Sequence, residues 1–346
     1  MCNHKDVFCK PLLSVITPIY NCEGYIGDCV NSLLGQSFES IEFIFIEDCS
    51  SDRSFDCLNE ALSKYPDKFD RIKILRHSEN RGVAFSRSEG VSASVGEWII
   101  FCDADDMVDT RAYELMYFAG REYASDIVIC GYEIFGKGIN SKVCNQGKGE
   151  IGADELFARI CGLSRKTMHG ALWNKMIRRC LLKDVIFPVG LNYCEDESAL
   201  FQILMKQPKI YILDQALYKY RIRNNSLISL KDKTMDRQCA LLIPFITGLK
   251  TNATQLQKDA LDAKVIRLLY RLLKSKRLSL REFYKRYGEW YDKIELEKRF
   301  NILERIHLQC CLKGYLFSGG IIGFCNDSGY RLIKMFRKFK SLLETV

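Results

Sequence analysis

The sequence predicts an α/β fold: a doubly wound, mostly parallel sheet with helices on both faces, followed by an all-helical C-terminal segment. Three observations carry that prediction. Short β-rich apolar runs alternate with helical patterns up to Tyr132, at a spacing of about 25–30 residues. Three of those runs close in polar clusters, Tyr20-Asn21, Glu47–Asp52 and Asp103–Asp106. From Met235 onward the alternation stops, and apolar residues recur at helical spacing only.

The elements follow in order. Leu12–Ile19 is an apolar run that reads as a buried strand, and Tyr25–Leu34 carries a helical stripe of Tyr25, Ile26, Val30, Leu33 and Leu34. Ile41–Ile46 is a second strand and Arg53–Tyr65 a helix. Ile72–Leu75 is a third strand, and Gly82–Ser94 is helical with small residues on one side. Trp98–Cys102 is a fourth strand, Ala112–Ala124 a helix and Ile127–Tyr132 a further strand. In such sheets ligands bind at the carboxyl ends of the strands, so the three polar clusters should converge on one rim. Beyond Gly136 the pattern loosens. Lys137–Gly149, rich in Gly, Asn, Ser and Lys, reads as an exposed loop, Asp154–Cys161 and Asp196–Met205 as helices, and Asp214–Arg223 as a strand.

The expected organisation is a tail over residues 1–11, an α/β domain over 12–234 and a basic helical region over 235–346. The domain falls into two parts, about 12–135 and about 136–234, where the alternation loosens. The net charge is +8, unevenly placed: residues 235–346 hold 22 Lys+Arg against 11 Asp+Glu, while the first 234 hold 29 against 32. A basic segment of this kind suits phosphates on lipid headgroups, a lipid-linked acceptor or nucleic acid. No nucleic-acid motif or aromatic-interleaved basic groove accompanies it, so nucleic acid is not expected as a partner. Tyr330–Leu343 sets Leu332, Ile333, Phe336, Phe339 and Leu343 on one face and Arg331, Lys334, Lys338 and Lys340 on the other. Two readings fit the C-terminal helices: packing on the catalytic domain, or docking on an anionic membrane.

The 16 cysteines include no CxxC pair and the four histidines no HxxxH spacing, which argues against a zinc site. The polar start, Met1–Lys10, carries no secretory signal, and no apolar run of about 18 residues is present. A cytoplasmic protein with free buried thiols is the expectation.

Four clusters carry candidate chemistry. Asp103-Ala104-Asp105-Asp106 places three carboxylates straight after a strand, either a hard-cation site for Mg2+ or Mn2+ or a solvated acidic cap. Glu47–Asp52 is either a helix cap or a nucleoside-recognising segment. Asn80-Arg81-Gly82 with Arg87 is either a turn with a surface arginine or a phosphate-facing loop. Glu195-Asp196-Glu197 is either an acidic helix start favoured by the macrodipole or the source of a general base.

Together these residues resemble a family 2 glycosyltransferase with the GT-A fold, of the type that builds bacterial capsule, lipopolysaccharide and exopolysaccharide. Ser14-Val15-Ile16-Thr17-Pro18-Ile19-Tyr20-Asn21 is similar to that family's first strand and P-x-Y-N turn, and Glu47–Asp52 to its D-D-G-S-x-D segment. Asn80-Arg81-Gly82 with Arg87 and Gly90 resembles its N-x-G…A-R-N-x-G stretch, and Asp103–Asp106 its D-x-D motif. Trp173-Asn174-Lys175, Glu195-Asp196 and Tyr218-Lys219-Tyr220-Arg221 with Ser226 extend the likeness across about Leu12–Ile228. Cys49 stands where the pattern has Gly, and Ser88-Glu89 where it commonly has an Asn-containing pair.

The resemblance implies an inverting, metal-dependent transfer of a hexose or N-acetylhexosamine from a UDP-sugar to a glycan acceptor, lipid-linked by the same likeness. It implies that Pro18, Tyr20 and Glu23 line the nucleoside pocket, that Asp48 meets the base, and that Arg81 and Arg87 lie near the donor. Asp103, with Ala104 beside it, would meet ribose or donor sugar, and Asp105 would hold Mn2+ or Mg2+. Asp196 would be the base, with Glu195 positioning it or the acceptor, and Lys175 and Arg221 would bind phosphate or donor sugar. Two other readings remain: a sugar nucleotidyltransferase, disfavoured because Tyr20–Gly24 lacks a Gly-rich basic phosphate loop, and a catalytically inactive nucleotide-sugar or glycan binder, disfavoured by the intact carboxylates.

Overall fold

The structure, a computed structural model, describes residues 10–136, 139–144, 146–164, 166–223, 227–274, 279–290 and 293. The amphipathic stretch Tyr330–Leu343, the vicinal Cys310-Cys311, the start Met1–Lys10 up to residue 9, and Ser226 lie outside the described residues. Contacts divide the chain into two compact units, one up to Val265 and one from Ile266.

The first unit opens on the expected alternation: β1 (Leu13–Ile19), α1 (Ile26–Leu34), β2 (Ile41–Glu47), α2 (Ser54–Leu62), β3 (Ile72–Arg76), α3 (Val83–Ala93) and β4 (Trp98–Phe101). β3, β2, β1 and β4 run parallel in that order, so their carboxyl ends share one edge. β2 and β4 are buried throughout, and β1 at all but Pro18. That is why these strands read as largely apolar runs rather than alternating ones, the polar Ser14, Thr17, Glu42 and Glu47 being buried with them. Leu13, Val15, Phe43 and Phe45 pack with Val30 and Leu33 of α1 and Leu58 of α2 on one face. The opposite face receives α3, at whose Gly90 an added Cβ would lie 2.3 Å from the Ile16 side chain and 3.1 Å from that of Ile46. The small side of α3 is therefore the price of a close helix–sheet approach.

Beyond β4 come β5 (Met107–Val108), α4 (Ala112–Glu122), β6 (Ile127–Gly136), β7 (Ile139–Cys144), β8 (Gly149–Ile151), α5 (Ala153–Cys161), β9 (Lys175–Arg178), α6 (Arg179–Leu182), α7 (Glu195–Leu204) and β10 (Ile210–Ile222). The sheet continues β4-β9-β6-β10-β5, with β6 and β10 parallel and β9 antiparallel to both β4 and β6. This half is mixed, and the stretch Lys137–Gly149 read as a loop holds β7, hydrogen-bonded antiparallel to β6. α8 (Leu227–Leu249) and α9 (Gln255–Lys274) follow, and α10 (Leu280–Tyr287) lies in the second unit. Among the described residues no helix is long and apolar enough to cross a membrane, and the cysteines are free thiols.

Candidate active site

The parallel strands deliver their loops to one edge, and hydrogen bonds lock those loops together. Past β1, the Asn21 N–H donates to Ser50 Oγ at 3.2 Å, and Asn21 Oδ1 accepts the Ser51 N–H at 2.9 Å. Glu23 Oε2 accepts the Arg53 N–H at 2.9 Å, so this carboxylate ties the first loop to the start of α2. Pro18 is half-buried and Tyr20 is exposed on the same edge.

Asp48, buried after β2, accepts the Arg81 and Gly82 N–H groups at 2.8 Å each. Its Oδ1 also lies 2.6 Å from His77 Nδ1, and the other ring nitrogen lies 2.6 Å from Glu89 Oε2. Burial opposes a charge on His77, yet the two carboxylates prevail and hold its pKa above the usual value. Asp48 therefore moulds the 80–82 turn ahead of α3. The Arg81 guanidinium lies 3.2 Å over the Phe85 ring. Cys49 takes φ of +56°, the left-handed conformation the usual Gly would adopt freely, so the turn is kept despite the substitution.

The three acids after β4 do three different things. Asp106 is buried: its Oδ2 accepts the Tyr218 O–H and its Oδ1 the Arg221 N–H, both at 2.7 Å, which joins the loop to β10. Asp105 Oδ2 lies 2.7 Å from Arg223 Nε; that N–H is not aimed along the line, so the contact is an ion pair rather than a hydrogen bond. Arg221 donates from Nε to the Asp105 carbonyl and from Nη2 to Asp28 Oδ2, both at 2.8 Å. Asp103 Oδ1 accepts from Arg87 Nη2 at 3.0 Å. Ala104 is buried between these acids. Burial first, then mutual repulsion, raises the pKa of Asp105; burial first, then Asp196, raises that of Asp103 against the pull of Arg87.

The centre of the site is Arg87 of α3, which is 3% exposed. Besides Asp103 it reaches Glu195 Oε1 at 2.9 Å and donates to Asp196 Oδ1, both from the first turn of α7. Three carboxylates from two distant segments thus meet one guanidinium. Asp196 Oδ2 accepts the Leu172 N–H at 3.3 Å. Burial, helped by Glu195 and opposed by Arg87, pushes the Asp196 pKa up to about 6. A carboxyl so placed is charged at neutral pH yet holds its proton more firmly than an ordinary aspartate, which suits a general base.

Lys175 lies behind the turn that contacts Asp196, near enough to feel that carboxylate. It is buried, and its ammonium donates to the His169 and Ala171 carbonyls at 3.0 and 2.6 Å and to Asn174 Oδ1 at 2.8 Å. Burial lowers its pKa to about 7. It braces the turn that presents Leu172 to Asp196. Three contributors escaped the sequence reading: Arg223, His77 and the Leu172 N–H. Arg223 alone carried a signal, since it lies two residues past Arg221 in the stretch Asp214–Arg223 that reads as a strand, which would put both on one face.

The chain matches the family model described as Glycosyl transferase family 2 over residues 14–186. It is 31% identical to the putative glycosyltransferase EpsH of Bacillus subtilis, over 72% of this chain and 70% of that one. The chain belongs to glycosyl transferase family 2. Glycosyltransferase GlyG of Streptococcus pneumoniae, 25% identical over 86% of this chain and 95% of its own, is a further relative of the family 2 chain. In three dimensions it resembles S. aureus TarS residues 1–349, solved in complex with UDP-GlcNAc, with a TM-score of 0.65 and 21% identity over 86% of each chain. That likeness supports the GT-A fold of this glycosyltransferase.

Proposed function

We propose that this glycosyltransferase moves a hexose or N-acetylhexosamine from a UDP-sugar to a hydroxyl of a glycan acceptor, lipid-linked, in surface polysaccharide biosynthesis, with inversion at the anomeric carbon. The observation that carries the reading is the meeting of Asp103, Glu195 and Asp196 at Arg87, with Asp196 pushed up to about 6. Asp196 takes the proton of the acceptor hydroxyl as that oxygen bonds to the anomeric carbon. The bond from that carbon to the diphosphate oxygen breaks on the opposite face, and UDP departs with the electron pair. Glu195, held beside it, orients the acceptor. Pro18, Tyr20, Glu23 and Asp48 shape the nucleoside end, and Arg81 and Arg221 lie toward the donor. Lys175 acts from below, through the turn it braces.

Asp105 fits a divalent ion as a single carboxylate ligand, its burial and its neighbour Asp103 both favouring a cation. Among the described residues no group of three or more His, Cys, Asp or Glu gathers to hold an ion unaided. Most ligands would come from diphosphate oxygens and water, as Mg2+ sites commonly arrange them. Mn2+ or Mg2+ would supply charge neutralisation for the departing diphosphate. The basic 235–346 segment supports a cytoplasmic enzyme peripheral to the inner face of the membrane.

The test is release of UDP, GDP or dTDP from a panel of nucleotide sugars with Mn2+, preceded by thermal-shift screening, where the correct nucleotide stabilises first. UDP-sugar turnover that disappears in Asp196→Asn with nucleotide binding retained is the expected result. An Asp105→Ala variant with wild-type turnover and no response to chelation sinks the metal assignment.

A further inference from the structure

Two buried charges take no part in the chemistry above. Lys264 of α9 donates from Nζ to Glu197 Oε2, and their side chains are only 10% and 20% exposed. Burial opposes both charges, but each partner outweighs it: the carboxyl is held below its usual range and the ammonium above. Neither residue lies within the family match at 14–186.

Their position gives the pair a task. Glu195, Asp196 and Glu197 are consecutive at the start of α7, so they leave the helix in three directions about 100° apart. Arg87 grips the first two; it cannot also reach the third. Glu197 points instead against Gly170, where an added Cβ would lie 2.4 Å from Glu197 Cγ and 3.0 Å from its Oε1. Gly170 belongs to the turn whose Leu172 N–H meets Asp196 and whose carbonyls Lys175 holds. Rotating the first turn of α7 to free Glu197 would carry Asp196 away from both Arg87 and Leu172.

We propose that Lys264 is a positioning residue for sugar transfer: through Glu197 it fixes the rotation of α7 against the 169–172 turn, so that Asp196 faces the acceptor hydroxyl. The proposal rests on Asp196 being the base, and it makes α9 part of the catalytic apparatus rather than an appendage.

The experiment compares full-length Lys264→Met, Lys264→Arg, Asp196→Asn and the double variant Glu197→Gln/Lys264→Met. Steady-state UDP release is measured with Mn2+ and UDP-glucose, UDP-galactose, UDP-N-acetylglucosamine and UDP-N-acetylgalactosamine, and UDP affinity by calorimetry. Lys264→Met should lower kcat about 10–100-fold, the scale of an ångström of misplacement, with KM for the UDP-sugar and Kd for UDP essentially unmoved. Lys264→Arg should restore most of the rate. The double variant should recover part of it, because no buried carboxylate is left unpaired. Hydrogen exchange gives a readout free of turnover: peptides covering 169–173 and 194–198 should exchange faster in Lys264→Met and not in Lys264→Arg. Wild-type kcat or unchanged exchange in Lys264→Met overturns the proposal, as does a loss of UDP affinity in step with kcat. Wild-type turnover in Asp196→Asn would instead remove the base assignment, and the exchange data would still report whether Lys264 holds the turn.

Discussion

Replacing Arg87 by Met should destabilise the fold by about 3–5 kcal/mol at pH 8 and by distinctly less at pH 5. The methionine nearly matches the arginine stem, so little cavity forms, and the loss is electrostatic. One guanidinium, 3% exposed, serves Asp103 at 3.0 Å, Glu195 at 2.9 Å and Asp196. Breaking a buried pair by removing one partner costs about that amount because the other charge stays uncompensated. Three partners do not triple it: the Asp103 and Glu195 side chains keep 30% and 14% exposure, and Asp103 and Asp196 can escape by binding a proton. The sign follows from that escape. Arg87 holds down the pKa of Asp103 and of Asp196, so without it these two acids keep their protons to higher pH in the folded state, and the variant gains stability relative to wild type as pH falls from 8 toward about 6, where Asp196 of the wild-type protein binds its proton as well. Urea unfolding of both proteins at pH 8 and pH 5 reads the difference as midpoint shifts at constant slope. Equal midpoints at pH 8, or the same deficit at both pH values, would refute the reasoning. Arg87→Lys should recover only part, since one ammonium cannot fork to three carboxylates.

Three other expectations follow from single residues. Because burial and Glu195 push Asp196 up to about 6, and only its charged form accepts a proton, kcat should fall about tenfold per unit below that midpoint, whereas a kcat–pH profile flat from 5 to 7 would contradict the base assignment. Gly90→Ala drives a Cβ to 2.3 Å from the buried Ile16 side chain and should lower stability by about 1–3 kcal/mol, read from unfolding midpoints, with no effect expected on UDP affinity beyond that loss. Cys49→Gly relieves a left-handed residue at φ +56° and should stabilise by about 0.5–1 kcal/mol, the strain removed less the added chain entropy, measured by thermal unfolding.

The parallel half of the sheet was legible because its strands are buried on both faces, so Trp98–Cys102 and, but for the buried Glu42, Ile41–Ile46 appear as apolar runs with polar closures. The same logic placed the strand ends on one edge. β9 was invisible for the opposite reason: it is four residues long, opens on a lysine, and owes its place to pairing with β4 and β6 rather than to any local period. β7 hid in a stretch whose glycines and polar residues favour loops, held by its pairing with β6. Among the site residues, Arg87, Asp103, Glu195 and Asp196 come together, although 108 residues separate Arg87 from Glu195. Lys175 shows where the local sequence runs out. The family likeness made it a ligand for phosphate or donor sugar, whereas its three hydrogen bonds all go to oxygens of its own turn, a fact fixed by tertiary packing and absent from the local sequence.

The arginines also bear on how a donor would enter. Along the rim, Asp103, Asp105, Glu195 and Asp196 face Arg87, Arg221 and Arg223, and Arg221 is shared with Asp28. The carboxylates there outnumber the arginines by two before anything binds. A diphosphate arriving alone would meet carboxylates it repels, and a divalent cation alone would have to compete with Arg223 for Asp105. Arriving together, anion and cation would leave that balance unchanged, and Arg223 would be free to meet the phosphate oxygens. On the proposed reading, ion and nucleotide sugar would therefore each raise the other's affinity by the same factor, a coupling carried by the ion pair of Asp105 with Arg223.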